Sequence, residues 1–329
     1  MVALVDAYDA ALFDLDGVVY LGPYAIDGVP EAMAQLRTRG VRLGFVTNNA
    51  ARTPGAVAEH LRELGIEASD RDVVNSTQAT VRMLRQDLPE GARLLAVGTE
   101  ALVEQLEDAG FVVVRSREDR PVAVVQGYHP GIEWRQLDDA ALAIQEGAAW
   151  YATNPDFTRP SPAGLVPGCG AQVGVVQLCV TVTPKMAGKP FRPLLDETVA
   201  RLEADHPLFV GDRLDTDILG AHTVGMDSLF VFTGAHGKAD LAAAEPPYRP
   251  TYIGASMAAL LEPPRVASVM PGCASVGGHA VDIVDGVVHA PSIPDDLEGQ
   301  LDVLWAALQL TWSEGAAADG VLAQLTLVR

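Results

Sequence analysis

The sequence predicts an α/β protein in which a parallel sheet wrapped by helices is interrupted by a second α/β unit and followed by a small α+β unit. Toward both ends of residues 10–262, short apolar runs alternate with helix-period segments, the pattern of strands joined through crossover helices. Between them, a stretch of roughly a hundred residues repeats the alternation with an apolar periodicity of its own, too long for a loop. After Leu261 the run Glu262-Pro263-Pro264-Arg265 reads as a linker, and the pattern changes to a hairpin and one amphipathic helix.

In chain order, Ala10 to Phe13 is a short buried strand that ends at Asp14. Val29 to Arg39 is a helix closed by Gly40, and Val41 to Thr47 is a second strand. Pro54 to Leu64 follows as a helix, with Thr53 as its N-cap, proline at its first position and Gly65 as its stop. The inserted unit, entered near Ser76–Thr77 and left near Pro184–Gly188, carries strands at Leu94–Val97, Phe111–Val114, Val122–Gln126 and Trp150–Thr153. Its helices are Glu100–Ala109 and Leu137–Glu146. Pro207–Gly211 and Ser228–Phe232 are two more core strands, separated by a helical stretch at Asp217–Val224. In the last unit, Asp285–Gly286 joins Val281–Val284 to Val287–His289 as a hairpin. Asp296–Trp312 is a helix with Leu297, Leu301, Leu304, Trp305, Leu308 and Trp312 on one face. That face should be buried against the core or against a neighbouring subunit of a homo-oligomer. The expected division is a core of residues 1–78 and 186–262, an inserted domain of 79–185, and an accessory unit of 263–329.

Composition narrows the function. With 49% apolar and 20% charged residues the chain has the profile of a folded globular protein. A formal net charge of −20 argues against nucleic-acid or anionic-membrane partners, which need a basic footprint. It also repels a phosphorylated substrate at long range, so any anion site must be built locally. Three cysteines without paired spacing suit a reducing compartment, and neither a signal peptide nor a membrane span is read, so the expected location is cytoplasmic.

Four short strings carry chemistry. Phe13 to Val19 (FDLDGVV) puts Asp14 and Asp16 two apart at the carboxyl end of a strand, where ligand sites of open α/β sheets lie. Read alone, this is a turn or capping pair of acids. Val46 to Asn49 (VTNN) offers a hydroxyl and an amide N–H at another strand end, able to hold a phosphate oxygen. Gly188 to Pro190 (GKP) fixes one of only three lysines between a glycine and a proline, against the plainer reading of a solvated surface lysine. Phe209 to Ile218 (FVGDRLDTDI) packs Asp212, Asp215 and Asp217 at a strand's end. An acidic helix start accounts for Asp215 or Asp217, but not for Asp212, and acids so close repel unless a hard cation such as magnesium joins them. There is neither a GxxxxGK[ST] nor a GxGxxG string. The nearest, GCGAQVG at Gly168–Gly174, has the wrong spacing and is expected to follow a loop.

The order of these strings resembles the motif set of the haloacid dehalogenase (HAD) superfamily over roughly residues 10–262. The phrases LDGVVYLG, FVTNNA, YATNPD and VGDRLDTDI are similar to its NagD-like branch (family IIA) of phosphatases. The resemblance implies a Rossmann-like core with an α/β cap inserted between the second and third motifs. It also implies Mg2+-dependent hydrolysis of a phosphate monoester through an aspartyl-phosphate. By that resemblance Asp14 is the nucleophile and Asp16 the general acid and base. Lys189 balances charge, while Thr47 and Asn48 take phosphate oxygens. Magnesium is held by Asp14, the carbonyl of Asp16, and Asp212, with Asp217 orienting a metal-bound water or Lys189. In the cap loop, Asn154, Asp156 and Arg159 are the substrate-selecting candidates, against a plain turn at 154–156. The acid at position 16 separates phosphatases from the superfamily's dehalogenases. The full layout, with its appended unit, is similar to actinobacterial glycerol 3-phosphate phosphatases. That makes glycerol 3-phosphate the expected small-molecule substrate, with phosphoglycolate, pyridoxal phosphate and nucleoside monophosphates as alternatives. A phosphotransferase or mutase of the same fold and a non-catalytic ligand sensor are the rival classes. The appended unit of such proteins is described as like part of an acyltransferase. Here it is too short for a complete acyl-CoA-binding fold, and Gly277–Gly278 reads as a hairpin turn or tight packing rather than a cradle remnant.

Overall fold

The computed structural model describes residues 2–161 and 164–329. It divides into two compact units, one formed by the chain up to Leu43 together with Asp205–Arg329, the other by Gly44–Ala204.

In the first unit the strands Tyr252–Gly254, Asp227–Val231, Pro207–Gly211 and Ala10–Phe13 lie side by side in that order, all parallel. Every residue of Ala10–Phe13 is buried, as a central parallel strand covered on both faces requires. Strand Arg42–Thr47 carries the chain out of this unit. The appended region adds a four-stranded antiparallel sheet, Ser268–Met270, Cys273–Val276, His279–Val284 and Val287–His289, and helix Leu297–Glu314. Of the face expected from its periodicity, that helix buries Leu301, Leu304, Trp305 and Leu308, while Trp312 is half-buried and Leu297 is exposed. Leu301, Leu304, Trp305 and Leu308 join Phe230, Ile253, Leu214, Ile218 and Leu241 in one apolar cluster. The appended unit and the parallel sheet therefore share a core, each fully buried leucine contributing about 1.5–3 kcal/mol. Trp312 donates its Nε1–H to the carbonyl of Leu241 at 3.0 Å, and the Arg249 guanidinium lies 5.3 Å over its ring. Gly277 and Gly278 form the turn between two strands of this sheet, both at positive φ, and a Cβ on Gly277 would lie 1.9 Å from Asp302 Oδ2. They are a turn and a close approach, not a cradle.

The second unit pairs strand Arg42–Thr47 with Val73–Asn75 in parallel and contains the inserted five-stranded parallel sheet. The order there is Lys185–Met186, Ala149–Ala152, Ala123–Gln126, Arg93–Val97, Val112–Val114. Alternate residues go to opposite faces. Leu95, Val97, Val124 and Trp150 pack with helices Trp134–Gln145 and Cys169–Gln177, whereas Leu94, Ala96, Val125 and Tyr151 pack with Ser76–Asp87 and Glu100–Asp108. Covering both faces explains why these strands read as nearly continuous apolar runs. Helix Ser76–Asp87 opens on a capping box in which the Asn75 and Gln78 side chains each accept the other's backbone N–H, at 3.0 and 3.1 Å. Contrary to expectation, the glycine string at 168–174 follows strand Gly164–Pro167 and begins a helix. Cys169, Cys179 and Cys273 are free thiols. Among the described residues no helix is long and apolar enough to cross a membrane.

Candidate active site

In the first unit, Asp14 leaves the end of strand Ala10–Phe13 with its N–H donating to the carbonyl of Val210 at 3.0 Å, which continues the parallel ladder by one residue. Leu15 is fully buried, so the chain turns and exposes Asp16. Strand Pro207–Gly211 ends beside it and delivers Asp212. One carboxylate oxygen each from Asp14, Asp212 and Asp217 lies within 4.8 Å of the others. Asp212 and Asp217 are 2% and 0% exposed, and Asp14 is 9% exposed. The structure thus brings together three of the predicted acids. Asp215, in contrast, turns outward to pair with Arg213 at 2.7 Å.

Two features hold this triad. The chain becomes helical at Leu214, as a π-turn over Leu214–Ile218, earlier than the expected start at Asp217. Asp217 consequently faces back, and its Oδ2 accepts the N–H groups of Asp212 and Arg213 at 3.2 and 3.1 Å. Asp212 Oδ2 accepts the N–H of Ala235 at 2.5 Å. Glycines make the second feature. A Cβ on Gly17 or Gly234 would lie 2.6 or 1.9 Å from Asp212 Oδ2, and one on Gly211 would lie 2.2 Å from Asp217 Cβ. Gly17 also has a φ of +92°. The carboxylates occupy space that any side chain at these three positions would take.

This donor set fits a hard divalent cation. Three carboxylates within 4.8 Å repel by roughly 3–4 kcal/mol per charged pair at an effective dielectric near 20. All-oxygen ligands of this number match magnesium, which takes few carboxylates and keeps waters.

The second unit assembles the remaining motif residues around Asn48. Its Oδ1 accepts the N–H of Lys189 at 2.8 Å. Its Nδ2 donates to the carbonyl of Lys189 and to Asp156 Oδ1, both at 3.0 Å. The carbonyl of Asn48 accepts from Ser76 Oγ and Asn154 Nδ2, both at 2.7 Å. Thr47 is buried, and its Oγ1 accepts the N–H of Asn49 at 3.1 Å. Lys189 is only 2% exposed, and its Nζ reaches the carbonyl of Val46 at 3.5 Å. Gly188 is required here, because a Cβ would sit 2.6 Å from Asn48 Oδ1.

The cap-loop candidates divide. Asn154 and Asp156 belong to the Asn48 network. Arg159 takes a different partner, its guanidinium lying 4.8 Å over the Tyr128 ring. The start of helix Cys169–Gln177 supports the loop from below: the Gly170 N–H donates to the carbonyl of Asp156 at 2.8 Å, and a Cβ on Gly170 would lie 2.1 Å from the Pro155 carbonyl oxygen. Burial pushes the Cys169 thiol up to about 11, which disfavours the thiolate. Sequence reasoning missed Ser76, Gly211 and the segment 233–236. Ser76 stood at the entry to the insertion without a role, and Gly234–Ala235 carries no motif.

Three carboxylates gathered at the ends of parallel strands form a candidate site for a hard divalent cation. Comparison with known proteins supplies the class. A haloacid dehalogenase-like hydrolase model matches residues 11–112, and a HAD-hydrolase-like model matches residues 186–260. D-glycerol 3-phosphate phosphatase of Mycobacterium tuberculosis is 42% identical over 324 residues, 97% of this chain and 90% of that protein. An acid sugar phosphatase of Staphylococcus aureus is 35% identical over 247 residues, 74% of this chain and 93% of its own. The crystal structure of the M. tuberculosis glycerol phosphate phosphatase in complex with magnesium superposes with a TM-score of 0.87 at 38% identity, covering 99% of this chain and 100% of that one. A p-nitrophenyl phosphatase from Archaeoglobus fulgidus gives 0.72 at 27% identity, covering 78% and 98%. The chain belongs to the haloacid dehalogenase-like hydrolases, in the NagD and p-nitrophenyl phosphatase branch (family IIA), and is a phosphatase.

Proposed function

We propose that this phosphatase hydrolyses glycerol 3-phosphate to glycerol and phosphate, with magnesium as cofactor and Asp14 as nucleophile. The observation that carries the reaction is the glycine-walled acid triad of Asp14, Asp212 and Asp217. Support for the substrate comes from coverage. The mycobacterial glycerol 3-phosphate phosphatase matches this chain nearly end to end, whereas the acid sugar and p-nitrophenyl phosphatases run almost their full length within about three quarters of it. Support for the metal comes from the same relative, whose structure was obtained in complex with magnesium.

In this reading the Asp14 carboxylate attacks phosphorus in line, and the P–O bond to glycerol breaks as Asp16 gives the leaving oxygen a proton. Water then attacks the phosphorus of the aspartyl-phosphate, Asp16 takes its proton, and phosphate leaves with Asp14 restored. The exposure of Asp16 suits a group that exchanges protons with substrate and water. Asp14, the carbonyl of Asp16, and Asp212 hold the metal, with Asp217 fixing the Asp212 backbone through its amide contacts. When bound, magnesium offsets the charge of the acids and the phosphate, so that a carboxylate can approach a dianion. Lys189, Thr47 and the Asn48 amide take phosphate oxygens. Asn154 and Asp156 shape the substrate loop.

The test is a panel of phosphate monoesters assayed with and without magnesium and with no acceptor alcohol. Glycerol 3-phosphate is expected to give the highest kcat/KM and chelator-sensitive phosphate release. Faster turnover of phosphoglycolate, pyridoxal phosphate or a nucleoside monophosphate would overturn the substrate assignment. Unimpaired release in excess chelator would overturn the metal assignment.

A further inference from the structure

We infer that the segment 325–329 of the appended unit is a positioning element for the metal site, acting through Arg329 on the loop that holds Asp212. The inference rests on the proposed magnesium reading and adds a residue that no motif contains.

The loop in question is 233–238. On one side it touches the site. The Gly234 Cα packs against the Asp212 carboxylate, leaving no room for a Cβ, and the Ala235 N–H donates to Asp212 Oδ2 at 2.5 Å. The His236 N–H donates to the carbonyl of Asp212 at 3.3 Å, and His236 Nδ1 accepts the N–H of Leu214 at 2.9 Å. Thr233 Oγ1 donates to the carbonyl of Gly17 at 2.5 Å. On its other side the same loop is held by the appended unit. The Arg329 guanidinium donates to the carbonyl of Gly234, the residue against Asp212. The carbonyl of Arg329 accepts the Lys238 N–H at 2.8 Å, and Lys238 Nζ donates to the carbonyls of Leu325 and Val328 at 2.6 and 2.5 Å. The segment is itself anchored: Leu325 and Val328 are 0% and 2% exposed, and the Leu327 N–H donates to Gln300 Oε1 at 2.9 Å.

The consequence is geometric. Ala235 N–H fixes one oxygen of Asp212, and Gly234 sets how closely backbone can approach it. An Arg329 bond to the Gly234 carbonyl orients the peptide that joins those two residues. A charged donor to a carbonyl is the stronger kind of hydrogen bond, and the planar guanidinium restrains direction as well as distance. Arg329 touches no reacting atom. It is a positioning residue, and its effect must appear in the affinity for the cation before it appears in the rate at saturation.

The experiment uses the full chain, freed of metal, as wild type and as Arg329→Ala, Arg329→Lys and Lys238→Met. Magnesium affinity is measured by titration calorimetry, the thermal midpoint is recorded without metal, and hydrolysis is followed across magnesium concentrations. Arg329→Ala is expected to weaken magnesium binding about tenfold or more, as loss of one charge-assisted hydrogen bond implies, with kcat recovered at saturating magnesium. Arg329→Lys, which keeps charge without the planar fork, is expected to fall between, and it carries the comparison if the alanine variant does not fold. An unchanged affinity in Arg329→Ala, with or without a lower thermal midpoint, would make the contact structural only and overturn the inference. Wild type that takes up no magnesium would instead overturn the metal reading, and the inference with it.

Discussion

Asn48→Ala tests how the second unit presents its lysine. The amide makes three hydrogen bonds, accepting from the Lys189 N–H at 2.8 Å and donating to the Lys189 carbonyl and to Asp156 Oδ1 at 3.0 Å each. Asn48 is 8% exposed and Lys189 2%, so water cannot readily replace the lost partners. Three net contributions of about 1 kcal/mol, plus about 1 kcal/mol for desolvated peptide groups of Lys189, give a loss of roughly 4 kcal/mol. Against a typical domain stability of about 5–15 kcal/mol this is large but survivable. Urea unfolding of the full chain, read from the midpoint at constant slope, measures it. Asn48→Asp differs at one atom. It keeps the acceptor for the Lys189 N–H but loses both donations and sets a carboxylate against Asp156, so at neutral pH it should be no more stable than the alanine variant. A loss below about 1 kcal/mol in Asn48→Ala would refute the claim that this amide holds Lys189 in place.

Gly234→Ala puts a methyl where only 1.9 Å separates it from Asp212 Oδ2, so magnesium affinity by calorimetry should fall more than about tenfold; wild-type affinity would contradict the cradle. Asp14→Asn should retain the fold by circular dichroism and lose about three orders of magnitude or more in phosphate release, whereas a tenfold loss would mean that another group attacks phosphorus. The Lys185 ammonium and the Tyr151 hydroxyl hold the Asp87 carboxyl below its ordinary value of 3.8. Its folded pKa being depressed, the stability it adds is complete above pH 3.8 and disappears as pH falls through the folded value. Asp87→Asn should therefore flatten the acid limb of thermal unfolding below pH 3.8. An identical limb in both proteins would show that this cluster contributes nothing.

Much of the fold was legible because it follows periodicity. Thr53, the expected N-cap, accepts the Ala56 N–H at 3.3 Å, and the Leu/Trp face of helix Leu297–Glu314 is buried except for half-buried Trp312 and exposed Leu297. What escaped had a local pattern that competes with its structure. Val73–Asn75 is three residues long, too short to show alternation. Helix Ser76–Asp87 carries the polar run Ser76-Thr77-Gln78, though its Asn75–Gln78 capping box was readable. Helix Cys169–Gln177 has two glycines and three valines in nine residues, a composition that disfavours helix and is overridden by burial against the inserted sheet. The candidate site splits in the same way. Carboxylates and the lysine announce themselves by type and spacing. Gly234, Ala235 and Arg329 act through backbone groups and by lacking a side chain or reaching from far along the chain, and nothing in a one-dimensional pattern marks them.

Charge explains why the site needs this much support. A chain of net charge −20 draws no anion from a distance, and three of its acids are gathered in the triad. Each unit holds its own candidate residues with its own contacts. In the first, backbone N–H groups of Asp212, Arg213 and Ala235 point at carboxylates, which offsets part of their repulsion before any cation binds. In the second, one amide holds a buried lysine at both its N–H and its carbonyl. In the proposed reading, pre-organisation by backbone and glycine rather than by surface charge would let a strongly acidic protein keep a phosphate site. It also means that substitutions which preserve every charge, such as Gly234→Ala or Asn48→Ala, should damage the enzyme more than removal of any exposed ion pair.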